Sequence, residues 1–168
     1  MNIISTRDMI RCCLFDRAGQ CIRLDVIIRL IGAECWREGG RVHFVYDKLM
    51  YERCFSLPAV PTLPTNHPQR FTDLLQSMKG KGYLKEFPVE LDQNGKLYEG
   101  AHRIAAVLMF GIKELSFSIT SEPASFVGIE NHQPTWYTDR FCSYEMQIIN
   151  SKIKRANNDC LESISISY

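Results

Sequence analysis

The stretch that decides the fold is FPVELDQNGKLYEGAHRIAAVLMF, residues 87–110. Phe87–Leu91 is predicted as a strand, and Asp92–Gly95 contains the Asn-Gly pair that is typical of a tight hairpin turn. Lys96–Tyr98 is predicted as the returning strand, and Gly100–Phe110 follows as a helix. The sequence therefore predicts a hairpin whose second strand passes directly into a helix.

Further elements are predicted on both sides of this unit. Gln69–Lys79 has apolar side chains along one side of a helix, and Glu114–Ile119 alternates apolar and polar residues as a strand does. Before the proline-rich segment, a helix is predicted at 5–15, capped by Ser5 or Thr6 and ending at Ala18-Gly19, and a second helix at 21–35, ended by Gly32 or Gly39-Gly40. An extended piece at Val42–Val45 and a helix at Tyr46–Arg53 follow. At the C-terminal end, a loop is predicted at 121–135 and a final helix at Trp136–Arg155.

Proline marks the main division of the chain. Four of the seven prolines lie between Pro58 and Pro68, and proline removes a backbone donor and favours extended geometry before it, so this segment is predicted as an irregular connector. It separates an N-terminal helical part, 1–57, from a core at 58–120 and a C-terminal loop and helix at 121–168. The first part would be marginal alone, so one compact domain is expected. The predicted fold class is α+β, a small mixed sheet with packed helices.

Composition limits the classes of function. The 168 residues suit one hydrophobic core, and 45% hydrophobic with 23% charged residues is ordinary for a soluble globular protein. The formal charge of +1 provides no global field for nucleic acid or an acidic membrane, so nucleic acid is an unlikely partner and any anion binding must be local. No signal peptide or membrane span is recognised, because the apolar stretch Val26–Ala33 is short and contains Arg29. A cytoplasmic protein is expected. Its seven cysteines lack metal-ligand spacing and are expected to be reduced and mostly buried.

The residues Glu99-Gly100-Ala101-His102-Arg103 are the candidate site. The first amide groups of a helix have no intrahelical partners, and the helix dipole leaves partial positive charge there. Gly100 is expected to let a ligand approach the backbone, while His102 and Arg103 add side-chain donors. Such a site suits phosphate, and Glu99 is a candidate base or a ligand for a metal or a ribose hydroxyl. The alternative is a solvated helix start with a surface arginine.

The order of elements around this site resembles the ParB/sulfiredoxin superfamily. The resemblance covers about 65–120: a helix, a glycine turn, the strand containing Phe87-Pro88-Val89, a hairpin, a helix opened by Gly-x-His-Arg, and a closing strand. Asn66–Phe71 is loosely similar to the Asn-Pro-x-Gln-Pro-Arg box that lies upstream in ParB proteins. The resemblance implies a ParB/sulfiredoxin-like fold with additional helices at both ends.

Departures from the family's motifs separate its chemistries. Sulfiredoxins place a nucleophilic cysteine before the His-Arg pair, where this chain has Ala101, so thiol chemistry in the loop is not expected. ParB partition proteins have an arginine in place of His102 and a helix-turn-helix domain, for which 121–168 is too short. The pattern is more similar to the free serine kinase branch and to members associated with surface-polysaccharide gene clusters.

This resemblance implies a nucleotide-dependent phosphotransferase that acts on a small hydroxyl compound. Gly100, Ala101, His102 and Arg103 would bind the phosphates of ATP or ADP, with CTP as an alternative, and Mg²⁺ would bridge them without an assigned protein ligand. Glu99 or another carboxylate would be the base. His102 and Asp47 are the other catalytic candidates, and the alternative for Asp47 is a solvated charge on the helix surface. Arg70 is a phosphate-binding candidate from the loose box match. The other functions are a non-catalytic nucleotide-binding ParB-like module and a ParB-like nuclease.

Overall fold

Helices surround one mixed sheet in the computed structural model, which describes residues 2–15, 21–56, 67–122 and 134–162. The strands within these ranges are β1 Asn2–Ser5, β2 Val89–Leu91, β3 Leu97–Glu99 and β4 Glu114–Ile119. The helices are α1 Thr6–Cys13, α2 Leu24–Gly39, α3 Phe44–Ser56, α4 His67–Lys81, α5 Ala101–Phe110, α6 Pro134–Thr138 and α7 Ser143–Glu162. The α+β class predicted from the sequence is confirmed.

The sheet has the strand order β1-β4-β2-β3. The β2 and β4 strands are parallel, while β1 pairs with β4 and β2 with β3 in the antiparallel sense. Val89, Leu91, Leu97 and Leu115 are buried in the core, against which α2 and α5 pack. The predicted N-terminal part and the predicted core thus share one sheet and one hydrophobic interior.

The hairpin and its helix form as predicted. In the turn, the carboxylate of Asp92 accepts hydrogen bonds from the backbone of Asn94 at 2.9 Å and of Lys96 at 2.8 Å. Gly95 has φ of 76°, and a tight hairpin turn requires a residue in this left-handed conformation. α5 then ends at Gly111, which also has a positive φ. This rigid unit sets the position of residues 99–103.

The first strand, Asn2–Ser5, was missed by the sequence prediction. It pairs along β4, with Asn2 opposite Phe117, and is therefore an edge strand formed by a contact more than 100 residues away along the chain. Short edge strands depend on their neighbours more than on intrinsic propensity. Ser5 then caps α1 as predicted, because its hydroxyl accepts a hydrogen bond from the backbone of Asp8 at 3.0 Å.

The prediction of an extended piece at Val42–Val45 was wrong, since α3 already begins at Phe44. The backbone N–H of Val45 donates to Nδ1 of His43 at 3.2 Å, so this side chain satisfies one of the free amides of the helix start. Burial of Val45 and the next residue, Tyr46, outweighs the strand propensity of this run.

Gly32 lies inside α2 and does not end it. A Cβ on Gly32 would lie 3.0 Å from the Cβ of Tyr46, so the glycine allows α3 to approach α2 closely. The helix continues to Gly39, and Gly40 closes it with φ of 72°. The close approach of these helices fixes Tyr46, which becomes important at the candidate site.

The single helix predicted at Trp136–Arg155 was also wrong. It is divided into α6 and α7, because Glu145 accepts a hydrogen bond from the backbone N–H of Cys142 at 2.7 Å, as in one half of a capping box, and starts a new helix. The connector predicted at 58–68 lies outside the described residues up to 66, and its last two residues, 67 and 68, already belong to α4. The predicted helix end at Ala18-Gly19 and most of the predicted loop at 121–135 also lie outside the described residues.

Two exposed cysteines correct the expectation that these residues are mostly buried. Cys13 is buried, and burial raises the pKa of its thiol to about 12, but Cys12 and Cys142 are exposed. Cys12, Cys13, Cys21, Cys35 and Cys142 are free thiols. In the described ranges, none of the helices combines the length and apolar character that crossing a membrane requires.

Candidate functional site

The turn between β3 and α5 depends on Gly100. This residue is buried and has φ of 109°, a left-handed conformation that side chains rarely adopt. A Cβ at this position would lie 2.9 Å from Cγ1 of Val89 in β2. Packing of the turn on β2 therefore explains the glycine, and the close approach of a ligand is not needed to explain it.

The beginning of α5 has the electrostatic character that the sequence predicted. No side chain caps the first turn of this ten-residue helix, and the first turn contains no acidic residue. The backbone amides of Ala101, His102 and Arg103 occupy the positions that lack intrahelical acceptors. The positive end of the helix dipole is thus left uncompensated by the helix itself.

His102 belongs to an aromatic cluster with Tyr46 and Phe71. Its Nε2 shares a hydrogen bond with the hydroxyl of Tyr46 at 3.0 Å, and its ring centroid is 4.7 Å from that of Phe71. The rings of Tyr46 and Phe71 are 5.0 Å apart. The His102 side chain is therefore held by α3 and α4.

This aromatic cluster joins the N-terminal ends of three helices. Tyr46 is the third residue of α3, Phe71 the fifth of α4 and His102 the second of α5. Helical side chains lean toward the N terminus of their helix, so the three rings extend toward the positive ends of the three dipoles. Contact among the rings therefore joins the first two turns of the three helices. The sequence predicted only one of the three, the beginning of α5.

Arg103 is half-buried and turned toward the chain segment before β2. Its Nη1 donates to the carbonyl of Pro88 and lies 3.4 Å from the carbonyl of Phe87. These bonds use one of the two terminal nitrogens of the guanidinium and fasten α5 to the start of β2. Arg103 thus has a structural role in addition to the predicted phosphate contact.

Glu99 shares one face of the sheet with a second carboxylate, Glu90. The two residues are paired across β2 and β3, while the next pair is Leu91 with Leu97, so Tyr98 is the extra residue of a bulge. The bulge puts Glu99 on the same face as Glu90, since directly paired residues share a face. Among the described residues, neither carboxylate forms a salt bridge.

Asp47 and Arg70 lie beside the aromatic cluster in sequence. Asp47 is in the first turn of α3, where partial burial raises its pKa and the charge of His43 opposes the change. Arg70 is exposed and precedes Phe71 in α4. The structure thus brings Gly100, His102 and Arg103 together, whereas neither Asp47 nor Arg70 forms a hydrogen bond or ion pair with the loop among the described contacts.

A buried arginine cluster lies behind the site, formed by Arg23, Asp25 and Arg29, with the half-buried Arg53 close enough to act on Arg29 electrostatically. Asp25 accepts two bonds from Arg23, at 2.8 and 3.0 Å, and one from Nη1 of Arg29 at 2.9 Å. Arg29 is 1% exposed, and its Nε has no hydrogen-bond partner among the described residues. Burial, together with the charges of Arg53 and Arg23, lowers the pKa of Arg29 to about 10, which leaves it charged at neutral pH.

The arginine cluster is connected to the candidate site at two points. Nη1 of Arg23 donates to the carbonyl of Leu97 at 2.7 Å, in the strand that leads into the loop. The charges of Arg29 and Arg53 act on Tyr46 and partly oppose the rise in its pKa that burial causes. The charges of Arg29 and Arg53 therefore act on the Tyr46–His102 bond from one side, and the carboxylate of Asp47 opposes them.

In the sequence, Asp25, Arg29 and Glu34 lie near helical spacing, which favours an ion-pair ladder along the helix. The Asp25–Arg29 pair exists but is buried, and Glu34 pairs with Lys152 of α7 at 2.5 Å. The available signal was the surrounding run of apolar residues, Leu24 and Val26–Ile28 followed by Leu30 and Ile31, which leaves no polar side of the helix for the two charges.

None of the protein-family models, curated proteins and solved structures compared with this chain matches it. The ParB/sulfiredoxin resemblance of residues 65–120 therefore stays a prediction, and the functional argument depends on the geometry of the site.

Proposed function

We propose that this chain binds a nucleotide through its phosphates at the beginning of α5 and transfers a phosphoryl group to a small hydroxyl compound. The observation that carries the proposal is the uncapped start of α5, which lacks acidic residues and is joined through His102 to Tyr46 in α3 and Phe71 in α4. A helix start of this kind favours anions, and the N-terminal turns of the two neighbouring helices add positive dipole ends on the same side.

The surrounding charges support phosphate as the anion. The arginine cluster adds buried positive charge behind Tyr46, where it is screened less than charge in water. The first-turn amides and Arg103 supply donors at the same end of α5. A nucleotide triphosphate or diphosphate suits this field, and phosphoryl transfer depends mainly on such positioning and electrostatics.

Carboxylates near the site supply the remaining parts of the proposed reaction. Asp47, whose pKa is raised by burial, and Glu99, next to Gly100, are the candidates for the base that accepts the proton of the acceptor hydroxyl. If Asp47 is the base, Glu90 and Glu99 would be the carboxylates that hold a magnesium ion, because Mg²⁺ is commonly held by one or two carboxylates together with substrate phosphates. When bound, the ion would neutralise phosphate charge.

A non-catalytic nucleotide-binding module is the second candidate. It is favoured by the contacts of His102 and Arg103, which are bonded to Tyr46 and to backbone carbonyls and so have structural roles. The nuclease reading has less support, because a formal charge of +1 provides no extended basic surface for nucleic acid.

The binding step is tested with a matched pair of variants at Ala101, the first residue of α5. Ala101→Asp adds a negative charge that helix starts tolerate well but that repels phosphate, while Ala101→Asn adds nearly the same atoms without the charge. We expect calorimetry with ATP, ADP and CTP to show binding by the wild type and the Asn variant, and at least about tenfold weaker binding by the Asp variant. Absence of binding to all three nucleotides by the wild type would refute the proposal.

The catalytic step is tested separately with a nucleotide that binds. Phosphorus NMR would follow transfer to a panel of amino acids and sugars in the presence of Mg²⁺. Asp47→Asn and Glu99→Gln should identify the base, since its loss lowers the rate about 10²–10⁴-fold while binding persists. Nucleotide binding with no transfer to any acceptor would favour the non-catalytic module.

A further inference from the structure

A cavity of about 280 Å³ opens beside Arg103, on the side of α5 that faces α4. Its walls are largely apolar and include Leu74, Met78, Tyr83, Leu84 and Phe87, with the Arg103 side chain at one edge. We refer to it as the Arg103 pocket.

We propose that the Arg103 pocket is the subsite for the base of the nucleotide, an inference that rests on the proposed phosphate site. Arg103 belongs both to the first turn of α5 and to the wall of the pocket. A ligand held by its phosphates at this helix start therefore has the pocket next to it, and the guanidinium plane can stack on an aromatic ring.

The size of the pocket fits part of a nucleotide. Sites that enclose a whole drug-sized ligand have volumes of about 300–1,000 Å³, so a cavity of about 280 Å³ suits one planar base, with the sugar and phosphates outside.

The distance along α4 between the phosphate site and the Arg103 pocket also fits a nucleotide. Phe71 touches His102 at the phosphate site, while Leu74 and Met78 line the pocket. At about 1.5 Å per residue, three to seven residues of helix separate the two places by about 5 to 10 Å. This is the scale of a ribose with its first phosphate.

Phe87 provides a further reason to expect a planar aromatic ligand. Its side chain lines the pocket and is 55% exposed, so the ring is accessible to a ligand. Stacking on a base would remove part of this ring from water. Aromatic side chains accept any base in this way, so the pocket predicts a preference for nucleotides over inorganic polyphosphate without naming the base.

Adjacent residues of α4 allow a matched test. Ser77 is half-buried and lines the pocket, and Gln76 is exposed on another face of the same turn. Ser77→Trp should fill the pocket and weaken ATP binding at least about tenfold, with tripolyphosphate binding unchanged. Gln76→Trp should change neither affinity.

Phe87→Ala is a second variant that does not depend on filling the cavity. Because the ring is largely exposed, its loss should leave folding intact, as circular dichroism would verify. We expect roughly tenfold weaker ATP binding from the lost stacking, again without a change for tripolyphosphate.

The outcomes separate this inference from the proposed function. If ATP binds equally well to the wild type, Ser77→Trp and Phe87→Ala, the subsite is refuted while the phosphate site stands. If adenosine binds and perturbs the NMR signals of Tyr83 and Phe87 but tripolyphosphate does not bind, the phosphate site is refuted and the subsite stands. If the wild type binds neither ATP nor adenosine, both proposals are refuted.

Discussion

The Glu99–Arg103 loop and the arginine cluster both contain guanidinium groups, but these groups differ in their exposure to solvent and in their hydrogen-bond partners. In the loop, half-buried Arg103 donates to backbone carbonyls at the protein surface. In the cluster, Arg29 is almost fully buried, and one carboxylate, Asp25, serves both Arg23 and Arg29. The loop has the recognisable motif, whereas the cluster has the larger electrostatic consequence, because buried charge is poorly screened.

The difference shows how the two regions depend on each other. The motif positions amides and side chains at the end of a helix, and the cluster supplies positive charge behind them through Tyr46. Each region is therefore expected to respond to mutation in its own way, in stability for the cluster and in geometry or binding for the loop.

The largest effect is expected where the cluster loses its only described carboxylate. Asp25→Asn keeps the size of the side chain but leaves Arg23 and Arg29 buried without a counter-charge, which should lower the free energy of unfolding by about 3–5 kcal/mol. Chemical denaturation would measure the change. Glu34→Gln, which removes the more exposed partner of Lys152, is the control and should cost about 1 kcal/mol or less. An equal loss in the free energy of unfolding for both variants would contradict the claim that Asp25 compensates buried positive charge.

The second-largest loss of stability is expected for a substitution at Gly100, in the Glu99–Arg103 loop. Gly100→Ala forces a side chain into a left-handed conformation and places its Cβ 2.9 Å from Val89, so we expect a loss of about 2–4 kcal/mol. Gly111→Ala at the other end of α5 shares the positive φ but has open space around its Cβ, and should cost only about 1 kcal/mol. Similar losses measured for the two variants would mean that backbone conformation, and not the contact with β2, requires Gly100.

A smaller effect is expected where the two regions meet. Tyr46→Phe removes the hydroxyl that bonds to His102, and it should lower the free energy of unfolding by about 1–2 kcal/mol. Nucleotide affinity should fall severalfold in calorimetry, because His102 is then less firmly positioned. Tyr144→Phe, at a residue that is 65% exposed, should change neither quantity. If Tyr46→Phe leaves the nucleotide affinity unchanged, the aromatic cluster does not contribute to nucleotide binding.

Sequence patterns predicted the local elements near the loop well. The turn at Asp92–Gly95, the strand Glu114–Ile119 and the helix that follows Gly100 are encoded by nearby residues, through turn chemistry, alternation and helical periodicity. The strand at Asn2–Ser5 was missed because its pairing partner, β4, is distant in sequence. The start of α3 was misplaced because packing of Val45 and Tyr46 overrode their strand propensity.

The candidate site was only partly predictable for the same reason. Residues 99–103 are contiguous, so their spacing could be recognised directly. The contacts of His102 with Tyr46 and Phe71 join residues that are 56 and 31 positions away, and nothing in their local sequence marks them. The same applies to Glu90 opposite Glu99, whose shared face depends on a bulge at Tyr98 that the hairpin sequence does not reveal.

The smallest effect on stability is expected for Arg29→Met, which replaces the other partner of the Asp25–Arg29 ion pair. The substitution keeps an unbranched, buried side chain, leaves Asp25 doubly bonded to Arg23 and removes the charge whose Nε has no described partner. Because Asp25 stays paired with Arg23, the substitution leaves no buried charge uncompensated, so we expect a change in stability within about 1 kcal/mol. Nucleotide affinity should nevertheless fall severalfold, because positive charge is lost from behind Tyr46. Denaturation and calorimetry on this variant would test both parts, and a loss as large as that of Asp25→Asn would show that Arg29 is needed for folding and is not a surplus charge.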